Sequence, residues 1–444
     1  MSGTTQEHRP ANSGSRRRVK LTRRLRTVVR CCIFAAAVAL LLPLLPWPWS
    51  TMVVPACSSF VMLATVIATR SLGAAAMVGL PILLIVIVRR RWFCRWMCPV
   101  GLMTEAAGRV SPLSHKRCRH VPPLGKAVVL MSIIAACFGY PLLLWLDPLA
   151  IFSGLFGWGH DATAGAAKIS ATIFTGIMVL SILVPGAWCL KLCPLGATQE
   201  FISRPLRMLS RRWKAMRNPG DSKIIVHAES QTSAQIPRRS ILTMIAGSAC
   251  AGLGGTLGWE GRLAAENQNA SALRPPGAVP SWQFPQLCLR CGNCARACPS
   301  EIIRTDRQPG NLLEWLTPVV VFETDYCRED CIDCMRVCPS GAIVQSDIAE
   351  KQAAVIGLAH INMDRCIMYM GPECRTMCMN SCPYEAIQMH EWTFEDDRRY
   401  PIIEAEKCPG CGACVLACTP MNAIEVRPLI HDKASDTQKP SSQE

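Results

Sequence analysis

The sequence predicts two unlike halves: an α-helical membrane domain of four, possibly five, transmembrane helices, followed by a cysteine-rich α+β domain. The 444-residue chain is 50% hydrophobic yet carries a net charge of +15, a combination typical of membrane spans bordered by Lys and Arg. Its 26 cysteines are too many for a core and do not suit a small secreted disulfide scaffold. Residues 1–257 carry +23 and residues 258–444 carry −8. Collagen-like, disordered and nucleic-acid-binding classes fit these figures poorly.

Four uncharged apolar runs predict the membrane domain. Each has 18 to 20 residues, close to the roughly 20 that cross a bilayer as a helix: 31–49, 71–88, 127–146 and 169–188. The tail before them and the two loops at 89–126 and 189–239 hold 28 Lys and Arg, whereas the other loops hold two. By the positive-inside rule, we expect a basic cytoplasmic tail (1–30) and a four-helix membrane domain (31–236). Buried helices of a soluble protein are the alternative.

An internal repeat lies within this half. The pattern C-x3-C-P-x-G-x3-E occurs twice, 95 residues apart, starting at Cys94 and at Cys189. Cysteines four apart share one face of a helical turn, so each pair supplies two thiolates. We expect Cys94, Cys98, Cys189 and Cys193 to converge as a cluster site, a metal site or a dithiol relay. Unliganded thiols are the alternative, and six cysteines without ligand spacing are predicted to be apolar packing residues: Cys31, Cys32, Cys57, Cys118, Cys137 and Cys250.

Residues 237–260 join the two halves. Arg238 and Arg239 precede a mildly hydrophobic stretch, as in a twin-arginine export signal. A fifth transmembrane helix is the second interpretation, and both place the C-terminal half outside. A surface helix that leaves this half in the cytoplasm is the third. We predict a cysteine-rich domain at 261–428 and a disordered tail at 429–444.

Four cysteine quartets mark the C-terminal half. The first and fourth quartets have the bacterial ferredoxin spacing C-x2-C-x2-C-x3-C, in which three thiolates hold one [4Fe–4S] cluster and the fourth reaches another. The quartets are Cys288, Cys291, Cys294 and Cys298; Cys327, Cys331, Cys334 and Cys338; Cys366, Cys374, Cys378 and Cys382; and Cys408, Cys411, Cys414 and Cys418. They predict four [4Fe–4S] clusters in a ferredoxin-like α+β fold, with short strands at 342–344 and 386–388.

In two-cluster ferredoxins the last cysteine of one quartet binds the cluster of another quartet. The spacing does not determine which quartets pair in this way. The two regular quartets are outermost in the sequence and the two irregular quartets innermost. We expect nested pairing, first with fourth and second with third, with sequential pairing as the alternative. In either arrangement the clusters form a chain for single electrons, and the acidic surface suits a basic redox partner.

These motifs resemble a known pair of families. The half with two C-x3-C-P motifs resembles NapH, a membrane ferredoxin-type subunit, and the half with the twin arginine and four quartets resembles NapG and MauM polyferredoxins. The resemblance covers roughly residues 28–425. It implies quinol oxidation at the membrane half and electron delivery to a periplasmic acceptor. By carry-over it identifies the sixteen C-terminal cysteines as cluster ligands and matches the four membrane-half cysteines to the NapH motif. The second and third quartets depart from the expected spacing.

The sequence therefore predicts a bacterial inner-membrane protein that takes electrons from the quinone pool to a periplasmic redox protein or reductase. Two alternatives remain: a metalloenzyme maturation factor, and a membrane-anchored polyferredoxin that faces the cytoplasm. Quinol oxidation releases protons, so an acid–base group is required. The candidates are Asp147, His160 and Asp161 in an outer loop, and Glu105, His115, His120 and Glu200 on the inner side.

Overall fold

The computed structural model describes most of both halves. The described residues are 13–42, 49–111, 121–159, 163–217, 272–306, 314–370, 374–390, 400–419 and 421–429. The twin-arginine segment at 237–260 and all but the first residue of the tail at 429–444 lie outside them.

The N-terminal half is helical. Its helices are α1 (Ser13–Leu41), α2 (Ser50–Ala56), α3 (Ser59–Thr69), α4 (Ala74–Val88), α5 (Trp92–Trp96), α6 (Pro99–Val110), α7 (Leu124–Cys137), α8 (Pro148–Gly154), α9 (Ala164–Leu183) and α10 (Pro194–Arg217). Two 3-10 turns (Leu144–Leu146 and Leu155–Gly159) flank α8, and a π turn (Trp188–Leu192) precedes α10.

The predicted set of four or five transmembrane helices is not supported by the helix lengths. Among the described residues, α9 alone is long and apolar enough to cross a bilayer, and α2 with α3, bent by 91°, would make a second span only if counted together. Each of the four apolar runs contains a helix, but α4 has 15 residues and α7 has 14. Helix α7 stops because Gly139 has a φ of +88° and Pro141 follows it, so the rest of that run leaves the helical path.

The predicted internal repeat is confirmed. At an offset of about 95 residues, α4, α5 and α6 correspond to α9, the π turn and α10. Helix α6 packs on α9 of the other repeat, and α10 packs on α4. The two repeats thus pack across each other, which brings their cysteine motifs to a common region.

The described part of the C-terminal half contains short helices and three two-stranded antiparallel sheets. Its helices are α11 (Phe284–Leu287), α12 (Asn293–Ala297), α13 (Asp333–Arg336), α14 (Ile348–Ala353), α15 (Met377–Asn380) and α16 (Ala413–Ala417). Its strands are β1 (Ile303–Thr305), β2 (Pro318–Val320), β3 (Leu358–Ile361), β4 (Ile387–Met389), β5 (Pro401–Ile403) and β6 (Ile424–Arg427), paired as β1–β2, β3–β6 and β4–β5.

The strand predictions were partly right. The predicted strand at 386–388 corresponds to β4, shifted by one residue. The predicted strand at 342–344 is wrong, because there Ile343 makes only an isolated bridge with Ala278.

Two hydrophobic cores divide this half into two units. The first unit surrounds Phe284 and Met335 and contains β1–β2, and the second surrounds Ile361 and Ile387 and contains the other two sheets. The ring of Tyr384 packs against both cores. A third core fills the N-terminal half and extends to Leu289, so the first unit is seated on the helices.

Candidate iron–sulfur sites

The four cysteines of the C-x3-C-P motifs lie together, as predicted. Cys94 is on α5, Cys189 is on the π turn, and Cys98 and Cys193 immediately precede α6 and α10. The thiols of Cys94, Cys98 and Cys189 all act electrostatically on that of Cys193. The Cys98 sulfur accepts a hydrogen bond from the Gly101 amide at 3.3 Å and so caps α6, with Pro99 at the first helical position, where the missing N–H costs nothing.

Polar side chains cross between the repeats at this site. Thr104 and Gln199 occupy equivalent positions, six residues after the second cysteine of each motif. The hydroxyl of Thr104 lies 3.3 Å from the Cys189 sulfur. The Gln199 amide is fully buried and makes no hydrogen bond among the described residues, and it lies near the Cys94 thiol of the first repeat. Each repeat therefore supports the thiols of the other, as expected for one site shared by both. We call the four thiols of Cys94, Cys98, Cys189 and Cys193 the N-terminal thiol site.

The glutamates of the two motifs are ion-paired. Glu105 pairs with Arg30 and, at 3.0 Å, with Arg109. Glu200 pairs with three cations: Arg90, Arg91 at 3.1 Å and Lys126 at 3.4 Å. These basic residues form a rim where α4 ends and α7 begins.

Two of the proposed acid–base residues act electrostatically on thiols of this site: Glu105 on Cys189, and Asp147. Asp147 is fully buried, accepts a 2.6 Å hydrogen bond from the Ser58 hydroxyl, and caps α8 through the amides of Leu149 and Ala150. Its carboxylate acts electrostatically on Cys94 and Cys98. The structure thus moves Asp147 from the predicted outer loop to a position beside the N-terminal thiol site. His115, His120, His160 and Asp161 lie outside the described residues.

In the C-terminal half, the first two quartets exchange their last ligands. Cys288, Cys291, Cys294 and Cys338 line one cavity; we call this set I. The thiols of Cys298, Cys327 and Cys331 act on Cys334, and these four form set II.

The third and fourth quartets exchange ligands in the same way. Cys366, Cys374, Cys378 and Cys418 line a second cavity and form set III. Cys408, Cys411, Cys414 and Cys382 line a third and form set IV. The expected nested pairing is therefore wrong, and the pairing is sequential. The reason is that adjacent quartets share one hydrophobic core, which packs the end of each motif against its neighbour.

The donor sets suit iron–sulfur clusters. No group of three or more His, Cys, Asp or Glu side chains in the described ranges is spaced to hold a single metal ion, whereas each thiol set surrounds a cavity or a common region with four sulfurs. Burial raises the pKa of Cys94 and of Cys291 to about 12, and that of Cys411 to about 11. Thiols this hard to ionise need bound iron to compensate the thiolate charge. When bound, each cluster would carry one electron.

Set I is fixed directly to the N-terminal half. Asn293, between Cys291 and Cys294, is almost fully buried and donates a 3.1 Å hydrogen bond to the Thr51 carbonyl. Its side-chain carbonyl accepts from the Ser153 hydroxyl on α8 at 3.1 Å. Helix α8 therefore has one end at Asp147, beside the N-terminal thiol site, and its other end at set I. Seven helical residues rise about 10 Å.

Sets II and IV meet between the two ferredoxin-like units. The Cys327 amide donates a 2.9 Å hydrogen bond to the Cys411 carbonyl, which joins a ligand of set II to a ligand of set IV. The Tyr384 ring lies near the thiols of Cys411, Cys327 and Cys382. The sets thus follow one another in the order I, II, IV, III, starting from the helices.

Sequence reasoning missed several residues that position these sites. Ser153, Asn293 and Gln199 lie outside recognised motifs or at variable positions within them. Asn293 lies in the first quartet at the start of a helix, where an asparagine is common. Nothing in the neighbouring sequence therefore indicates that its side chain contacts the other half. The equivalence of Thr104 and Gln199 was readable from the repeat, because both immediately precede the motif glutamate.

Comparison with known proteins agrees with these sites. The family described as "4Fe-4S binding domain" matches twice, at residues 71–117 and 169–215, and so covers both C-x3-C-P motifs. The "4Fe-4S dicluster domain" matches residues 287–342, which span the first two quartets. The methylamine utilization ferredoxin-type protein MauM of Methylorubrum extorquens is 37% identical over 191 residues, covering 41% of this chain and 84% of MauM.

The chain belongs to the MauM and NapG family of ferredoxin-type proteins. The ferredoxin-type protein NapG of Escherichia coli is 34% identical over 181 residues, covering 38% of this chain and 77% of NapG. MauM of Methylophilus methylotrophus is 36% identical over 162 residues, covering 34% of this chain and 67% of that protein. No solved structure matches the chain. Family membership makes it an iron–sulfur electron-transfer protein of the ferredoxin type.

Proposed function

We propose that this protein is embedded in a bacterial inner membrane by a NapH-like N-terminal half and passes electrons from quinol through five thiol sites to a periplasmic redox acceptor. One observation carries the proposal. Helix α8 connects the N-terminal thiol site to set I, and the Ser153–Asn293 hydrogen bond fixes the join. The four sets of the C-terminal half can serve the membrane half only if electrons pass between the two halves.

The surface of the N-terminal half supports membrane embedding. Leu84 and Val88 on α4 are 57% and 77% exposed, and Leu183 on α9 is 52% exposed. Large apolar side chains in such numbers on one surface are typical of contact with lipid or with another protein. Helix α4 rises only about 22 Å at 1.5 Å per residue, short of the roughly 30 Å of a bilayer core. We therefore assign the remaining depth to described segments that continue the apolar runs, 71–73 before α4 and 138–146 after α7.

The docking side of the C-terminal half supports a periplasmic location. Gln283 and Arg296 donate to the carbonyls of Gly139 and Leu41, at the ends of α7 and α1. These ends lie opposite the basic rim around Glu200. If the rim faces the cytoplasm, the ferredoxin-like units face outward, as the twin-arginine segment also predicts. The same argument disfavours a cytoplasm-facing polyferredoxin.

Quinol oxidation releases protons, and the surroundings of Asp147 allow its carboxylate to accept one. Each quinol gives up two electrons and two protons, whereas an iron–sulfur cluster takes one electron at a time. Glu105 and Glu200 are held by cations, whereas Asp147 is buried beside Cys94 and Cys98. We assign Asp147 as the candidate group that accepts a proton on this side of the thiol site.

A proteoliposome assay tests the proposal. Quinol is added to anaerobic vesicles, with a membrane-impermeant one-electron dye outside and a quinone-site inhibitor as control. We expect two dye molecules reduced per quinol, inhibited by the quinone analogue and abolished by Cys291→Ala in set I. Dye reduction that persists in Cys291→Ala, or none in a protein with all clusters loaded, would contradict it.

A further inference from the structure

Helix α10 continues beyond the core that holds its first turns. Leu195, Gln199 and Ser203 follow one another at four-residue spacing and are fully buried. Helices α7 and α4 both pack against α10. The helix then extends through residues 204–217, so its second half lies past the residues that fix it in the helical domain.

In this second half, the side of α10 that was buried stays apolar but is uncovered. Leu206 and Trp213 follow Gln199 at i+7 and i+14, so helical spacing places them on the side that Gln199 buries. Leu206 is 48% exposed, Leu209 is 61% exposed and Trp213 is 63% exposed. We call Leu206, Leu209 and Trp213 the apolar stripe.

Basic residues recur along the other side of the same segment. Positions 204, 207, 211 and 214 are all Arg or Lys, at the i, i+3, i+7 and i+10 spacing of one helix side. Residues 204–217 contain six Lys and Arg and no Asp or Glu. An apolar stripe that includes Trp, opposite a basic stripe, is the pattern of a helix that lies in the plane of a membrane interface.

The charge of this segment favours lipid over a second copy of the chain as the surface that covers the apolar stripe. Pairing with the same segment of another copy would bring two groups of like charges together, which is unfavourable. Anionic headgroups would instead attract every one of these cations. Trp213 also suits this level of a bilayer, where tryptophan is enriched.

The place where α10 leaves the core agrees with this choice. The exposed apolar side of α4 ends at Val88, and the next basic residues, Arg90 and Arg91, pair with Glu200 on α10. Trp213 lies about 20 Å further along the helix axis than Glu200, at 1.5 Å per residue. The apolar stripe thus begins where the apolar surface of the helical half gives way to charge. This level is the headgroup level if the helical half is embedded, so this step rests on the proposed function.

We propose that residues 204–217 form an interfacial anchor that binds anionic phospholipid. The basic stripe contacts the headgroups, and the apolar stripe inserts at the boundary between headgroups and acyl chains. Cys193 immediately precedes α10, so the anchor fixes the helix that leaves the N-terminal thiol site against the membrane surface.

Hydrogen–deuterium exchange of the full-length protein tests the anchor. Protein in nanodiscs of phosphatidylcholine alone is compared with protein in nanodiscs that also contain phosphatidylglycerol, and exchange is followed by mass spectrometry. We expect the amides of 204–217 to exchange more slowly with phosphatidylglycerol, while those of β3 and β6 stay unchanged. Leu209→Glu should abolish this lipid-dependent protection. Ser210→Glu adds the same charge at the next position, outside the apolar stripe, and should keep most of the protection.

Three outcomes would overturn the anchor. They are equal exchange of 204–217 in both lipids, equal loss of protection in the two variants, and slow exchange in detergent that depends on protein concentration. The last outcome would identify a contact with a second copy of the chain. Unchanged iron content establishes that the two variants fold, as expected for substitutions on the exposed part of α10.

Carbonate extraction of membranes tests the embedding separately. Protein that resists extraction, but whose residues 204–217 show no dependence on phosphatidylglycerol, overturns the anchor and leaves the embedding standing. Protein that is extracted, but whose residues 204–217 are protected by added phosphatidylglycerol vesicles, overturns the embedding and leaves the anchor standing.

Discussion

The Ser153 hydroxyl donates a 3.1 Å hydrogen bond to the side-chain carbonyl of Asn293, and both groups are buried. Ser153 belongs to α8 of the helical half, and Asn293 lies between two ligands of set I. The bond therefore joins the two halves at the place where they must exchange electrons. Arg296 also donates to the Ser153 hydroxyl at 3.3 Å and to the Asn293 side-chain carbonyl, so the join is a small buried hydrogen-bond network.

Substitution of Asn293 by Ala tests this join. The change removes the hydrogen bonds of Asn293 with the Ser153 hydroxyl and the Thr51 carbonyl, at a cost of about 1–3 kcal/mol, equivalent to a roughly 5- to 150-fold larger undocked population. We expect quinol-driven cluster reduction to slow while dithionite reduction stays unchanged, as measured by stopped-flow absorbance.

Gln283→Ala is the matched control for Asn293→Ala. It removes another bond between the halves, from Gln283 to the Gly139 carbonyl at 3.0 Å, but at a half-buried position away from set I. Equal slowing in both variants would mean that the rate depends on any contact between the halves. The Asn293 hydrogen bonds would then have no particular role in electron transfer.

Double cysteine substitutions test the sequential pairing by iron content. Cys288→Ala with Cys338→Ala removes two ligands of set I, so we expect the loss of one cluster, about four irons. Cys327→Ala with Cys338→Ala affects sets II and I, so we expect the loss of two clusters. Iron is measured by mass spectrometry on anaerobically purified protein. Two clusters lost in the first variant would support nested pairing instead.

The four cysteine quartets could be identified from the sequence. Which cysteines of different quartets lie together could not. Spacing within a quartet fixes which loop wraps a cluster, because three ligands come from one short segment. The fourth ligand depends on which motif end packs against that loop. That choice follows from the core that Phe284 and Met335 share between the first two quartets, a tertiary contact without a local signal.

The helix lengths show a similar limit. Hydropathy identified where helices form, since a helix lies in each apolar run, but overestimated their extent. The run at 127–146 continues past the end of α7 through Gly139 to Leu144, which is fully buried against other helices. An apolar side chain reports burial whether its backbone is helical or not. The internal repeat was a more reliable guide to the structure than hydropathy, because it compares two segments of the same chain.

Alanine at Gly412 tests how closely the two ferredoxin-like units pack. Gly412 has a φ of +85°, and an added Cβ would lie 2.2 Å from the Phe322 ring of the first unit. We expect about 1–2 kcal/mol from backbone strain and about 1–3 kcal/mol from overpacking, seen as a lower thermal midpoint and loss of iron.

Gly341→Ala separates these two contributions. Gly341 has a similar φ of +70°, but no described atom lies within 4 Å of its added Cβ. It should therefore show the strain alone. If both alanine variants lost the same free energy of unfolding, the contact with Phe322 would contribute nothing to the destabilisation.

Single and double substitutions test whether the N-terminal thiol site is shared. Cys94→Ala and Cys189→Ala should each lose the same cofactor, so the double variant should lose no more iron than either single variant. Cys57→Ala, in the same half but without motif spacing, should retain full iron content. Additive loss would indicate two separate sites, and unchanged iron in all variants would mean that these thiols carry no iron.

The most direct test of the account is quinol reduction of the anaerobically purified protein in lipid, followed by EPR of its clusters, with a quinone-site inhibitor as control. We predict reduced-cluster signals that appear with quinol and that are suppressed by the inhibitor. Clusters that dithionite reduces at potentials within reach of quinol, yet that stay oxidised with quinol, would contradict the claim that this chain is fed from the quinone pool.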